Sequence, residues 1–162
     1  MGYQILVVGL AGSGKSTVGR ALAQELGIAY IDGDQLHPQA NIVKMAKGTP
    51  LSDDDRDQWV TNIIHALEHG DVVVGASLLK RSYRELVRAS IPRIRFAQLD
   101  APITVLESRL SVISPENFRA PLLQSQLAIF DELGAKEPGI QLDATKSVAE
   151  LVKVIHLDLR SS

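Results

Sequence analysis

The feature that most constrains the fold is a glycine-rich segment near the start of the chain, GLAGSGKS at residues 9–16. It follows an apolar run at residues 5–8 and precedes a helical pattern at residues 17–26. The segment fits G-x-x-x-x-G-K-[ST], and a strand before it and a helix after it are the context that this motif requires. Free N–H groups and the positive dipole end of such a helix attract phosphate. We therefore predict a phosphate-binding loop rather than an ordinary glycine-rich turn with a chance lysine.

The side chains of this loop have separate predicted roles. Lys15 can reach the β- and γ-phosphates of a nucleotide, and the Ser16 hydroxyl can ligate Mg²⁺. The other predicted nucleotide-binding residues are Gly12, Ser13, Gly14 and Thr17.

Length and composition narrow the class of protein. A chain of 162 residues predicts one domain, spanning residues 1–162. A net charge of −2 implies no nucleic-acid partner, and the absence of cysteine excludes disulfides and thiolate metal sites. No apolar run approaches the ~20 residues that span a bilayer. The N-terminus reads as a strand without a charged leader, so we expect no membrane association and a cytoplasmic location.

Apolar runs alternate with helical patterns along the chain, which predicts an α/β fold. Strands are predicted at residues 4–8, 28–31, 72–76, 95–99 and 140–142, and helices at 15–26, 35–47, 53–69, 80–90, 102–111, 122–133 and after Ser147. This order favours a parallel sheet with helices on both faces, which binds ligands beyond the carboxyl ends of its strands. The phosphate loop, residues 32–34 and residues 76–77 all fall at those ends.

Two aspartates follow the second predicted strand. Asp32 and Asp34 are two residues apart, so in an extended segment both side chains point the same way. Phosphoryl transfer to a hydroxyl needs one carboxylate near the metal and another to orient or deprotonate the acceptor. A turn in which the aspartates bond their own backbone is an equally good interpretation from these residues alone.

Basic residues follow the second and third predicted strands. Arg56 comes after the acids at 53–55, which suit a helix start, and it can present a bidentate fork to an anion. Lys80, Arg84 and Arg88 recur every four residues and so share a helix face, for which solvation is the simpler explanation. Lys80 and Arg84 are nearest the strand end, where an anion can approach.

At this point the chain resembles the gluconate kinase (gluconokinase) family. Besides the phosphate loop, the matching blocks are DGDQLHP at residues 32–38, NIVKM at 41–45, GTPLSDDDRDQW at 48–59 and ASLLKRSYRELVR at 76–88. The likeness covers roughly residues 3–111 and returns at 122–126. The phosphate loop is shared by many enzymes, whereas D-G-D-x-L-H-P together with P-L-x-D-D-D-R-x-x-W is far more specific.

The resemblance implies a P-loop NTPase of the nucleoside-kinase-like type. Its fold is three-layer α/β/α, with a five-stranded parallel sheet in the order 2-3-1-4-5 and a small lid at about 112–124. It implies ATP and Mg²⁺, transfer of the γ-phosphoryl group to the 6-hydroxyl of D-gluconate, and is consistent with a homodimer. A related kinase of shikimate or another hydroxy acid, and a nucleotide-binding module that senses a sugar acid without phosphorylating it, stay open as alternatives.

Roles carry over from the family to matching positions. Asp34 becomes the partner of the acceptor hydroxyl, and Asp32 a carboxylate for hydrated Mg²⁺. The candidates for binding the sugar acid are His37, Arg56, Lys80 and Arg84. Residues 143–147 resemble the loop that holds adenine with backbone atoms.

The chain departs from the family in the lid. Ile113 stands at the position of the family's lid arginine, and Glu116 stands near that of its histidine. Such an arginine neutralises charge on the transferring phosphoryl group. Arg119 is the expected substitute in catalysis; Arg109 is a second candidate and is expected to bind the nucleotide.

Overall fold

The structure, a computed structural model, describes residues 2–113 and 120–162. Its strands are β1 (Gln4–Gly9), β2 (Ala29–Asp32), β3 (Val72–Ala76), β4 (Arg95–Asp100) and β5 (Gly139–Asp143). Its helices are α1 (Lys15–Leu26), α2 (Gln39–Ala46), α3 (Asp53–Glu68), α4 (Arg81–Ser90), α5 (Ile103–Ile113), α6 (Ala120–Ile129) and α7 (Val148–Arg160). In the part of the chain described here, no helix is both long and apolar enough to cross a membrane.

The five strands form one parallel sheet in the order β2-β3-β1-β4-β5, as the family resemblance predicted. Strand β1 is central, with Leu6 opposite Val74 of β3 and Phe96 of β4. The order places the ends of β2, β3 and β1 side by side. The segments that follow these three strands therefore meet at one edge of the sheet.

The residues of β1 alternate between two cores, because successive strand side chains point to opposite faces. Leu6 and Val8 pack with α3 and α4 on one face. Ile5 and Val7 pack with α1 and α7 on the other. Both faces of the sheet are therefore covered, which confirms the three-layer α/β/α architecture.

The prediction of one helix over residues 35–47 is wrong. A 3₁₀ turn at Gly33–Leu36 comes first, His37 is extended with φ −64° and ψ 138°, and α2 begins only at Gln39. Pro38 is the cause, because a residue before proline is disfavoured in the helical region. The helix expected at 122–133 ends at Ile129, and residues 130–138 form an irregular segment that we call the strap. The single domain and the lid at 112–124 stay predictions, since residues 114–119 lie outside the described residues.

Candidate active site

The phosphate loop connects β1 to α1 through two glycines in the left-handed region. Gly12 has φ 83° and Gly14 has φ 96°, values that L side chains rarely adopt. Gly14 is the N-cap of α1 and offers no side-chain cap, so backbone N–H groups at the start of this helix are available to a ligand. The Lys15 ammonium donates to the Leu10 carbonyl at 3.1 Å, within the same loop.

A cavity of about 590 Å³ surrounds this loop. All predicted nucleotide-binding residues of the loop line it, from Gly12 to Thr17. Asp34 and Ser77 also line the cavity, as do Ala144 and Lys146 from the segment that resembles an adenine-binding loop. One continuous space therefore joins the segments after β1, β2, β3 and β5.

Asp32 ends β2 and Asp34 lies in the 3₁₀ turn that follows, so of the two interpretations that the sequence left open the turn is the one observed. The Asp34 N–H donates to Oδ1 of Asp32 at 3.0 Å, which is the own-backbone bonding that the sequence left open. Both carboxylates nevertheless act on Lys15. Burial lowers the pKa of the Lys15 ammonium, and the charges of Asp34 and Asp32 oppose that effect. Burial raises the pKa of the Asp34 carboxyl, which Lys15 partly offsets.

The oxygens beside the phosphate loop fit a magnesium ion. The Ser16 hydroxyl stands in the first turn of α1, and the Asp32 carboxylate lies near enough to Lys15 to affect its charge. Oδ1 of Asp32 accepts from backbone, and among residues 2–113 and 120–162 no donor faces Oδ2, so this oxygen can bind a ligand. Mg²⁺ prefers such hard oxygens and usually takes one or two of them together with substrate phosphates and water.

Arg109 of α5 connects two parts of the nucleotide cavity. Its guanidinium donates to the carbonyls of Gly12 and Ser13 at 3.4 Å each, and to the Ala144 carbonyl at 2.7 Å. Arg109 also lines the cavity. This location agrees with the nucleotide-binding role that the sequence suggested.

Gln126 of α6 lines the cavity, although no role was predicted for this residue from the sequence. Its Oε1 accepts a hydrogen bond of 2.8 Å from the Ala11 N–H of the phosphate loop. The helix that follows the lid region is thereby joined to the loop. The recurrence of the family likeness at residues 122–126 was the only signal in the sequence that pointed here.

Basic side chains from α3 and from the residue before α4 meet around one carboxylate. Asp53 of α3 accepts from the Lys80 ammonium and from the Tyr83 hydroxyl, both at 2.8 Å, and lies 3.8 Å from Arg56. The bonds from Lys80 and Tyr83 lower the pKa of Asp53. Burial and the hydrogen bond to Asp53 raise the pKa of Tyr83 to about 12, so its hydroxyl stays a donor. We call Arg56, Lys80 and Tyr83 the carboxylate cluster.

His37 stands next to this cluster. Its ring stacks on Trp59 with centroids 4.5 Å apart and planes 12° apart. Burial and the charge of Arg56 lower the pKa of His37 to about 4, so the imidazole is neutral at neutral pH. Trp59 is buried and its Nε1 donates to the Gly33 carbonyl at 2.8 Å, which joins α3 to the turn that carries Asp34.

The expectation that Arg84 binds the substrate does not agree with its position. The Arg84 side chain is 0% exposed and forms an ion pair of 2.7 Å with Glu137 of the strap. Its other donors bind the carbonyls of Leu78, Leu79 and Glu132. Every face of the guanidinium is thus occupied by protein, and we withdraw Arg84 from the substrate-binding set. The simpler explanation from the sequence, that the helix face with Lys80, Arg84 and Arg88 is solvated, is also wrong for Arg84.

The lid residues are only partly described. Ile113 ends α5, is exposed and lines the nucleotide cavity. The expectations for Glu116 and for a catalytic Arg119 fall outside the described residues. Arg119 therefore stays a prediction.

The parallel sheet, the phosphate loop and the carboxylates beside it define a P-loop kinase of small molecules. The model of the AAA domain family matches residues 5–130. A probable gluconokinase of Schizosaccharomyces pombe is 36% identical over 95% of this chain and 88% of its own length. The thermoresistant gluconokinase of Escherichia coli is 38% identical over 83% of this chain and 80% of its own.

Solved structures agree with these sequence relatives. The crystal structure of a gluconokinase from Sinorhizobium meliloti 1021 superposes with a TM-score of 0.90 at 38% identity, covering 98% of this chain and 92% of that one. The chain belongs to the gluconokinase family. It is an ATP-dependent kinase that transfers phosphate to a hydroxyl group.

Proposed function

We propose that this chain transfers the γ-phosphoryl group of ATP to the 6-hydroxyl of D-gluconate and forms 6-phospho-D-gluconate. The observation that carries the proposal is the carboxylate cluster. Two cations and a phenol already surround one carboxylate, that of Asp53, at the same sheet edge as the phosphate loop. A sugar acid offers the same group, and a neutral sugar does not. The names of the curated relatives support this substrate.

ATP occupies the cavity around the phosphate loop in this proposal. The backbone from Gly12 to Thr17 and the Lys15 ammonium bind the phosphates, and Arg109 supports the nucleotide between the loop and Ala144. Ser16 and Asp32 are the residues that would hold Mg²⁺, which would neutralise phosphate charge when bound. These groups position the γ-phosphorus and offset its charge.

Asp34 acts on the acceptor hydroxyl. Its carboxylate lines the cavity, and partial removal from water raises its pKa, which makes it a stronger base than a fully hydrated aspartate. It orients the 6-hydroxyl and accepts its proton as the oxygen bonds to the γ-phosphorus, while the bond from that phosphorus to the bridging oxygen breaks and ADP leaves. Arg56 and Lys80 bind the carboxylate at the other end of the gluconate, and Arg119 is the expected cation on the transferring phosphoryl group.

Product analysis tests the proposal most directly. Wild type incubated with MgATP and gluconate is expected to release 6-phosphogluconate, with shikimate giving no product. Lys15→Ala and Asp34→Asn are each expected to abolish turnover, while Asp34→Asn leaves ATP binding nearly unchanged. An Asp34→Asn variant with wild-type rates contradicts the assignment of the acceptor base.

One observation favours a second candidate, a module that binds nucleotide and sugar acid without transfer. Ile113 places an apolar side chain at the cavity where the family has an arginine. In this case gluconate tightens ATP binding but no 6-phosphogluconate forms. The cytoplasmic location, the homodimer and the lack of a nucleic-acid or membrane partner stay predictions from the sequence.

A further inference from the structure

Asn41 is a buried polar residue beside the proposed acceptor site that the mechanism above does not use. It lies on α2 with 2% of its surface exposed. One terminal atom of its carboxamide is 2.8 Å from the Asp55 carbonyl and 3.1 Å from Nδ1 of His37. A carbonyl oxygen only accepts, so the atom facing it is the amide nitrogen. That nitrogen has two hydrogens, one for each neighbour.

The tautomer of His37 follows from this arrangement. A neutral imidazole has one N–H and one acceptor nitrogen. Since Asn41 donates to Nδ1, the proton of the ring is on Nε2. Within residues 2–113 and 120–162, the structure gives Nε2 no hydrogen-bond partner.

The ring is also fixed in orientation. Its stacking on Trp59 holds its plane, and Trp59 is itself bound to the Gly33 carbonyl, one residue before Asp34. The Nε2–H group therefore has a set direction relative to the acceptor base. The nearby Arg56 side chain is a donor only, so the Nε2–H group does not pair with it and is available to an acceptor oxygen of a ligand.

We propose that Asn41 is a positioning residue, which holds His37 in the Nε2–H tautomer so that His37 donates a hydrogen bond to a hydroxyl or carboxylate oxygen of the acceptor substrate. This inference rests on the proposed function, because that function places the acceptor beside His37. Asn41 itself does not touch the substrate. It keeps His37 a donor, whereas an Nδ1–H tautomer would present a lone pair, which repels a carboxylate oxygen and forces a hydroxyl to donate instead of accept.

Nitrogen-15 NMR of the histidine ring tests the tautomer in the whole wild-type protein, without substrate. A His37→Gln variant identifies the His37 signals. At neutral pH we expect Nδ1 to resonate as an unprotonated nitrogen and Nε2 as a protonated one. Addition of gluconate is expected to shift the Nε2 signal more than the Nδ1 signal. A proton on Nδ1, a charged ring, or an Nε2 signal that ignores gluconate in a protein that turns gluconate over would each overturn the proposal.

Asn41→Asp gives the matching functional test, because a carboxylate can only accept from Nδ1. The proton of the neutral ring is expected to move from Nε2 to Nδ1, which removes the donor to the substrate. The KM for gluconate is expected to rise roughly threefold to tenfold, the range of one lost hydrogen bond, while the KM for ATP stays within about twofold. Asn62→Asp is the matched control, since Asn62 also donates to a carbonyl, that of Leu36, but does not contact the ring. Its His37 signals should match those of wild type.

The two proposals fail in different ways. If gluconate yields no product while the wild-type ring shows the Nε2 proton, the proposed function fails and the tautomer stands. If gluconate is phosphorylated while Nδ1 carries the proton, the role of Asn41 fails and the function stands. The wild-type spectrum decides the tautomer even where Asn41→Asp does not fold.

Discussion

Replacement of Arg84 by methionine separates a structural role from a substrate-binding one. In wild type the guanidinium makes five hydrogen bonds, two to the Glu137 carboxylate and three to backbone carbonyls. Methionine fills much of the space but leaves a carboxylate that is 2% exposed without its cation. Breaking a buried pair from one side costs about 3–5 kcal/mol. For a domain of this size we expect the midpoint of thermal unfolding to fall by roughly 6–20 °C.

Circular dichroism melting and urea titration measure this loss, and gluconate kinetics are then recorded at a temperature where both proteins are folded. The KM for gluconate should stay near the wild-type value. Arg88→Met is the matched control on the same helix, because Arg88 is exposed and makes one hydrogen bond, to the Lys136 carbonyl. It should lose less than about 1 kcal/mol. An Arg84→Met protein with wild-type stability and a much higher KM for gluconate would refute the buried-pair reasoning.

Three further predictions concern the nucleotide and acceptor sites. Gln126→Leu removes the acceptor of the Ala11 N–H, so ADP affinity measured by calorimetry should fall severalfold, whereas the exposed Gln124→Leu should leave it unchanged. Because the folded-state pKa of His37 is about 4 against an ordinary value of 6.5, the unfolded chain binds this proton more tightly. The contribution of His37 to stability is thus complete above pH 6.5 and is lost as the pH falls toward 4. In urea unfolding, the free energy of unfolding should fall more steeply with acid for wild type than for His37→Gln. Parallel pH dependences of the two proteins would contradict this. Gluconate, but not shikimate, should change the emission of the only tryptophan, Trp59, because that ring stacks on His37; unchanged emission at saturating gluconate would contradict a site beside α3.

The nucleotide half of the site could be predicted from the sequence because its signals are local. The glycines, Lys15 and Ser16 lie within eight residues, and the strand before them and the helix after them confirm each other. The sheet order came from the family resemblance, since alternation of strands and helices does not fix which strands are neighbours. The turn after β2 was one of two interpretations that Asp-Gly-Asp left open. The break between this turn and α2 was missed, although Pro38 disfavours helix at His37.

The acceptor half depends on contacts between residues far apart in the chain. Tyr83 reaches Asp53 from thirty positions away, and Arg84 reaches Glu137 from fifty-three. Helical spacing puts Lys80, Arg84 and Arg88 on one face, but it does not say what covers that face. The strap that covers Arg84 has no regular secondary structure, so no periodic pattern in the sequence predicts it. Burial of this residue became visible only in three dimensions.

The carboxylate that each cation faces explains why Lys80 and Arg56 can bind a substrate and Arg84 cannot. Arg84 faces a carboxylate that is 2% exposed, so a sugar acid would have to open the protein to displace it. Lys80 and Arg56 face Asp53, whose side chain is 69% exposed. A ligand carboxylate arriving from solvent can replace Asp53 there, and the released aspartate is rehydrated at little cost. The same ion-pair chemistry therefore gives a fixed link beneath the surface and an exchangeable one at the cleft, and the exposure of the acidic partner decides between them.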